Sequence, residues 1–298
     1  MDVKNHNTNR KKRVVRKRWN AAVLIALFVG ILLTVFQYLG FVSKTVYEES
    51  VSHLTEIFHQ SDNMLSELTN KNLTYLHIWG EYLQNTSDES EIREYIEKAQ
   101  EDAGFLDFYF LSADGNYKMV TGETGYLGLQ ENIEDEIRQG NDIVTNAAHP
   151  GKSQLLVFAT PKPHGNYQGF EYDAIAITYE NSDIVNVLNI SAFNGNAQSY
   201  VVHPDGRVVV DHSSEAWGEV YNFFGILREH SNMSEKEILK LSEEFKEGHT
   251  DAMLINLDGE DYYLVYEKSK PQDWIFLGLI QADIVNASMN VLQRSTML

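Results

Sequence analysis

Histidine and aspartate residues stand close together at two places in the second half of the sequence, and such pairs could hold a metal ion. His203 lies two residues before Asp205, and Asp211 directly precedes His212. Both pairs lie in a segment that reads as two strand-like runs joined at Asp205-Gly206. Asp and Gly at this point favour a tight turn. We therefore interpret these residues as turn chemistry and expect no metal.

Residue patterns for catalysis are sparse. The 298 residues include no cysteine, which excludes disulfides, thiolate metal sites and cysteine nucleophiles. The sequence lacks the motifs of serine hydrolases, phosphate-binding loops and zinc peptidases. Gly122, Gly125 and Gly128 do not have the spacing of a dinucleotide-binding loop. We therefore predict that the chain is not an enzyme and needs no cofactor.

A small-ligand site is the kind of site that the sequence suits better. Such sites are concave, largely apolar, and carry a few converging polar groups. The stretch that fits best is the Gly-rich segment that follows the first predicted hairpin, together with the strands next to it. Our candidate ligand-binding residues are Tyr126, Asn146, His149, Phe158, Thr160 and Tyr172. Each of them could instead belong to the core or to a surface turn.

A basic cluster and an apolar run open the sequence. Residues 1–18 contain eight basic residues and one acid, so the total charge of −19 leaves −26 after Arg18. This acidic body argues against nucleic acid as a partner. Ala21–Phe41 carries no charge, and about 20 apolar residues span a hydrocarbon core of roughly 30 Å. We predict a transmembrane helix with a cytoplasmic N-terminus and an extracytoplasmic body, rather than a signal peptide.

A stripe of mostly apolar residues with alternating spacings of four and three follows the apolar run. It predicts a helix over Ser43–Gln84, roughly 60 Å long at 1.5 Å per residue. The stripe could pack along its own domain or form the seam of a parallel homodimer, and we expect Val51, Leu54 and Phe58 to face a second copy. Its members are Tyr47, Val51, Leu54, Phe58, Ser61, Leu65, Leu68, Asn72, Tyr75, Trp79 and Tyr82.

One tetrapeptide occurs twice. Asp-Ile-Val-Asn stands at Asp183–Asn186 and again at Asp283–Asn286, each time directly after a strand-like run. The same order of elements precedes both copies: a hairpin, a helical insertion and two more strands. The two opening hairpins turn at Asp114-Gly115 and Asp205-Gly206. We therefore predict an α+β fold with two tandem antiparallel-sheet lobes that have helices packed on them.

This order of parts resembles the extracytoplasmic double-Cache (tandem PAS-like) sensor region of bacterial transmembrane receptors. LDFYFLSADGNYKMV opens the first lobe and SYVVHPDGRVVV the second. The resemblance implies a membrane-distal lobe that binds a small ligand and a membrane-proximal lobe that leads to a second transmembrane helix. It further implies a cytoplasmic output module of the histidine kinase, diguanylate cyclase or chemoreceptor type.

Some members of this family recognise amino acids through an Arg-x-Trp-Tyr element in the first lobe. Between Phe105 and Glu180 this sequence has one arginine, Arg138, which Gln139 follows, and it has no tryptophan. The resemblance therefore does not imply amino-acid specificity here.

The resemblance and the sequence patterns together give an ordered set of segments. They are a cytoplasmic tail (1–18), a transmembrane helix (19–41), a stalk helix with a short second helix (42–104), the distal lobe (105–195), the proximal lobe (196–282) and a helix toward a second span (283–298). The predicted function is small-ligand sensing at the cell membrane, in a fragment of a longer receptor. The alternative is a membrane-anchored binding or adhesion module without signalling.

Overall fold

The structure of this chain, a computed structural model, describes residues 3–148, 154–188, 197–212, 222–269 and 273–285. The candidate residue His149 lies outside these ranges. Contacts divide the chain into two compact units, of which Ser52–Ile284 contains both β-sheets. The predicted segment boundaries remain predictions.

One continuous helix, α1 (Val3–Asn85), includes both the apolar run and the predicted stalk. The large apolar side chains described between Leu27 and Phe41 are exposed. Within the described residues, no helix has a segment that is both long enough and apolar enough to span a membrane. The membrane span therefore stays a prediction.

The apolar stripe of α1 packs against the two sheets of its own chain. Leu54 and Phe58 are fully buried, and the ring of Phe58 stacks on Phe276 with 6.0 Å between centroids. A Cβ on Gly278 would lie 2.8 Å from the Phe58 ring, so the glycine makes this approach possible. The expectation that Leu54 and Phe58 face a second copy is therefore wrong, because the second sheet covers them.

The two polar residues in the stripe also find partners within the chain. The hydroxyl of Ser61 donates to the carbonyl of Leu188 at 3.3 Å. The side-chain oxygen of Asn72 accepts from the hydroxyl of Tyr179 at 3.0 Å. Satisfying buried polar groups in this way favours packing within the chain over the seam that we considered.

The first sheet has seven antiparallel strands in the order β3-β2-β1-β7-β6-β5-β4. A capped helix, α2 (Glu89–Ala103), precedes it, and Asp88 accepts from the first free backbone N–H groups of that helix. Two short strands of this sheet, β3 and β4, lie in the Gly-rich segment. Its elements are β1 (Asp107–Leu111), β2 (Asn116–Met119), β3 (Thr124–Tyr126), β4 (Gly128–Leu129), α3 (Glu134–Gln139), β5 (Ile143–Ala148), β6 (Leu155–Tyr167) and β7 (Phe170–Glu180).

The second sheet has five antiparallel strands in the order β10-β11-β12-β8-β9. Ser234 and Glu237 form a capping box at the start of α6. The hairpin predicted at Gly206 is present, with φ of 85°. The elements are α4 (Asn181–Leu188), β8 (Ala197–Val202), β9 (Val208–His212), α5 (Phe223–His230), α6 (Glu235–Glu247), β10 (Asp251–Leu257), β11 (Glu260–Lys268) and β12 (Ile275–Gln281).

The repeated tetrapeptide marks equivalent places in the two sheets. The central strand β7 ends at Glu180, and α4 follows with Asp183 in its first turn. The central strand β12 ends at Gln281, and residues 282–285 are again helical. The repeat therefore reflects the same order of elements on both sides, as we predicted.

Side chains of the first sheet and of α4 bind the free edge of the second sheet. The strand β9 lies at this edge, and its backbone carbonyls at Val208 and Val209 accept from Gln154 (2.8 Å) and Asn146 (2.9 Å). The side chain of Asn181 exchanges two hydrogen bonds with the backbone of Asp211. These contacts satisfy an edge that would otherwise be open to pairing, and they join the two sheets directly.

Candidate functional site

The face of the first sheet that points away from α1 carries alanines among larger apolar side chains. Phe108 packs toward Trp79 of α1, so its neighbour Tyr109 points to the opposite face. On that face Tyr109 of β1 is the cross-strand neighbour of Ala176 on β7. Ala176 is in turn the neighbour of Ala159 on β6. The segment between β2 and β5 covers this face, and we call it the insertion (residues 120–142).

A cavity of about 380 Å³ lies between the β1–β2 hairpin and the insertion. We call it the acidic cavity, because three carboxylates and no basic side chain line it. Its wall consists of Ala113, Asp114, Gly115, Tyr126, Leu129, Gln130, Glu131, Asn132, Ile133 and Glu134. A small ligand with a positively charged group would match this charge.

Tyr126 supplies the aromatic part of this wall. It is 62% exposed, which is unusual for so large a side chain. Its ring packs against the hairpin turn, where a Cβ on Gly115 would lie 3.0 Å from a ring carbon. Gly115 also has φ of 87°, so glycine serves both the turn and the contact with the ring. An exposed tyrosine face beside carboxylates suits a cationic group.

The polar groups of the wall are mostly hydrogen-bond acceptors. Asp114 accepts from the hydroxyl of Ser112, which lowers the pKa of its carboxyl group and keeps it ionised. Gln130 donates its backbone N–H to the carbonyl of Asn146 (2.9 Å), which fixes the wall to β5. The buried Oε1 of Gln130 has no hydrogen-bond partner among the described residues. Acceptors in this number favour a ligand that carries N–H donors.

One wall residue of the acidic cavity connects it to the second sheet. The carboxylate of Glu131 accepts from the guanidinium of Arg207 at 3.0 Å. The same guanidinium donates from Nε to Asp205 at 2.7 Å, within the β8–β9 hairpin. A contact to this wall is therefore a contact to the turn of the second sheet.

His203 completes this cluster of charges. Its Nε2 lies 3.9 Å from the carboxylate of Glu131. Burial lowers the pKa of His203, although the nearby Glu131 acts in the opposite direction. Asp205 accepts from the backbone and side chain of Arg207, so its role is that of a turn residue. Among the described residues, no group of three metal-ligating side chains converges.

The six candidate residues from the sequence do not lie together. Tyr126 lines the acidic cavity, whereas Tyr172 lines a separate cavity beside the β6–β7 hairpin. Asn146 is buried and joins the two sheets through Val209. His149 lies outside the described residues. That any of the six contacts a ligand remains a prediction.

Phe158 and Thr160 lie under α1 rather than in the acidic cavity. Both are fully buried. The ring of Phe158 meets Tyr179 edge-on at 5.9 Å, and the hydroxyl of Thr160 lies 3.4 Å from Nδ1 of His77 on α1. They belong to the interface between the sheet and the helix.

Sequence reasoning missed the acidic residues of the cavity. The sequence predicts Asp114 as a turn residue and a polar helix near Glu131–Gln139. Four acids within Glu131–Glu136 were a usable signal, since so dense a charge beside a hairpin predicts a strongly negative surface. The convergence with Asp114 was not visible, because it depends on how the insertion folds back.

No protein-family model and no curated protein matches this chain. Several solved structures are similar to it. The extracellular domain of mmHK1S-Z3, described as a histidine kinase, has a TM-score of 0.57 at 13% identity, with 84% of this chain and 99% of that chain covered. The ligand-binding domain of Mlp24 with asparagine has a TM-score of 0.55 at 16% identity and covers 84% and 99%.

A third similar structure is the ligand-binding domain of PctB from Pseudomonas aeruginosa PAO1, an amino-acid chemoreceptor, in complex with L-Arg. Its TM-score is 0.56 at 16% identity, with 79% of this chain and 97% of that chain covered. All three are named as extracellular or ligand-binding domains, and none is named as a catalytic domain. This chain therefore has the double-Cache fold of the extracellular sensory domains of histidine kinases and chemoreceptors.

Proposed function

We propose that the chain is the ligand-sensing region of a membrane receptor and that its ligand binds in the acidic cavity of the first sheet. The observation that carries this proposal is the charge of the cavity wall: Asp114, Glu131 and Glu134 line it without a basic residue. The ligand is a small molecule with a positively charged amine or guanidine. Its charge meets the carboxylates, and its N–H groups meet the acceptors of the wall.

The fold neighbours support a ligand of this size, since their names mention asparagine and L-Arg. Both molecules carry a cationic group. The sequence lacks the Arg-x-Trp-Tyr element that some family members use for amino acids. The proposal therefore specifies a positive charge and does not specify an α-carboxylate.

Signalling follows from the bond between Glu131 and Arg207. A cationic ligand in the cavity competes with Arg207 for the carboxylate of Glu131. When Arg207 is released or reoriented, the conformation of the β8–β9 hairpin changes. This hairpin belongs to the second sheet, which packs on α1 through Phe276. A ligand shifts such an equilibrium only by its difference in affinity for the two states. This contact supplies that difference, and α1 transmits it to a cytoplasmic output module.

Membrane anchoring and dimer formation belong to the same proposal. The uncharged run Ala21–Phe41 anchors the receptor, and its described side chains are exposed. Two copies associate in parallel along the face of α1 that its own sheets leave free, which includes the exposed Met64 and Ile78. In membranes, cysteine at Met64 should crosslink to its counterpart, whereas cysteine at the buried Leu65 should not. Crosslinking only at Leu65 would contradict this arrangement.

A thermal-shift screen of the full chain in detergent tests ligand binding. The screen compares amines with uncharged derivatives that keep the carbon chain, for example putrescine and cadaverine against their diacetylated forms. A ligand at a hundredfold excess over its Kd stabilises the folded state by about 2.7 kcal/mol. We expect a cationic compound to raise the melting temperature and its acetylated form to have no effect. Stabilisation by neutral or anionic compounds alone would refute the proposed charge.

A further inference from the structure

A second cavity, of about 390 Å³, lies on the side of the first sheet that α1 covers. The end of α1, the start of α2 and the β6–β7 hairpin surround it, and we call it the hairpin cavity. Phe110, which lines it, points to the face opposite to that of Tyr109. The hairpin cavity and the acidic cavity therefore lie on different faces of one sheet.

Three aromatic rings in contact form one wall of the hairpin cavity. The ring of Phe110 stacks on Tyr167 with 4.2 Å between centroids and lies 4.9 Å from the ring of Tyr172. The hydroxyl of Tyr167 donates to the carbonyl of Val120, so it is already used. The hydroxyl end of Tyr172 lies over Gly165, where a Cβ would be 2.1 Å from the ring. This glycine therefore makes room for Tyr172.

Lys162 is the basic residue in the wall of this cavity. Its aliphatic chain lies against Gly80 of α1, where a Cβ would be 2.0 Å from Cε. Larger residues at position 80 would displace it. The described residues place no carboxylate within ion-pair distance of its ammonium group. The acid that shares the wall, Glu89, accepts a hydrogen bond from Gln168 at 3.1 Å.

The residues after Arg18 carry a formal charge of −26, so a lysine in a cavity wall is a local exception to the negative charge of the protein. The general field of such a protein repels anions, so an anion binds only where a local cation overcomes that field. Lys162 and Tyr172 both line the cavity, together with the aromatic rings of Phe110 and Tyr167. These groups together can pair with a carboxylate and pack against the apolar part of the same molecule.

We propose that the hairpin cavity is a second binding site and that it takes a small organic carboxylate. The ammonium of Lys162 pairs with the carboxylate, and the hydroxyl of Tyr172 donates a hydrogen bond to it. Amide side chains at the rim, Gln84 and Asn166, bind the polar groups of the ligand. The site is independent of the acidic cavity in both position and ligand charge.

Calorimetric titration of the full chain in detergent tests this site with two hydroxy acids, lactate and mandelate. Each acid is compared with its neutral amide, lactamide or mandelamide, which keeps the shape and removes the charge. We expect at least one acid to bind at least tenfold more tightly than its amide. Equal affinity for acid and amide, or no binding of either acid, would overturn the proposal.

Variants locate the binding within the molecule. Lys162→Met should weaken the carboxylate at least tenfold, and Lys162→Arg should keep part of the affinity. Lys246→Met on the exposed side of α6 is the matched control and should leave the affinity unchanged. Unchanged affinity in Lys162→Met would overturn the proposal. If Lys162→Met does not fold, Tyr172→Phe is the alternative test. Loss of the hydroxyl group should weaken carboxylate binding severalfold.

One further variant separates this site from the sensing site. Glu131→Gln, in the wall of the acidic cavity, should not change carboxylate affinity. An equal loss in Glu131→Gln and Lys162→Met would mean that the two cavities do not act as separate sites, which contradicts the proposal.

Discussion

The two sheets share one order of strands, but they fill the face that points away from α1 with side chains of very different size. In the first sheet, a row across three strands reads Tyr109, Ala176 and Ala159. The corresponding row of the second sheet consists of the large residues Tyr200, Leu277 and Tyr266. Two alanines thus stand where the second sheet has a leucine and a tyrosine.

The covers over these faces differ in the same direction. In the second sheet, α5 and α6 contribute Phe223, Leu227, Leu241 and Phe245, and a continuous apolar core results. In the first sheet, the insertion contributes Leu127 and Ile133, with the acidic cavity at its margin. The first sheet therefore has alanines and a cavity at this face, whereas the second sheet has a filled apolar core.

The largest expected effect concerns the filled core of the second sheet. Leu277 is fully buried between Tyr200 and Tyr266. Leu277→Ala leaves a void and should lower the free energy of unfolding by about 2–5 kcal/mol. Urea denaturation followed by circular dichroism measures the change. The control is Leu239→Ala on the exposed side of α6, which should cost less than about 1 kcal/mol. Equal losses of unfolding free energy in Leu277→Ala and Leu239→Ala would contradict a filled core under the second sheet.

A smaller effect is expected where the two sheets meet. Asn146→Ala leaves the carbonyl of Val209 without its hydrogen bond in a buried place, which costs about 1–3 kcal/mol. Hydrogen exchange should show faster exchange along β9 in this variant. Asn232→Ala, at an exposed position after α5, is the control and should leave β9 unchanged. Unchanged exchange in Asn146→Ala would mean that this bond does not hold the edge strand.

How far the sequence predicted these differences depends on the kind of residue. The spacing of apolar residues predicted the helix over Ser43–Gln84, and the Asp-Gly turns predicted the opening hairpins, because both signals are local. The two strands of the insertion were not predicted, because they pair at the edges of the sheet and are only two or three residues long. The burial of Asn146 and Thr160 away from the acidic cavity was not predictable, because a polar residue in a strand gives no sign of which face it occupies.

The smallest expected effect is the dependence of stability on pH at the junction of the sheets. Burial lowers the pKa of His203 below its ordinary value of 6.5. The unfolded chain therefore binds the proton more readily, and this histidine reduces stability as the pH falls below about 6.5. In His203→Gln the free energy of unfolding should decline less between pH 7 and pH 5. The exposed His249→Gln is the control, and an identical slope in all three proteins would contradict the assignment.

The most direct test of the sensing account is the affinity of Glu131→Gln for the cationic ligand that the thermal-shift screen identifies. Titration calorimetry compares the original chain with this variant and with Glu243→Gln, which removes one exposed carboxylate from α6. The account predicts a loss of affinity of about tenfold or more in Glu131→Gln, equivalent to about 1.4 kcal/mol, and none in Glu243→Gln. Equal affinity in all three proteins would contradict a ligand site in the acidic cavity.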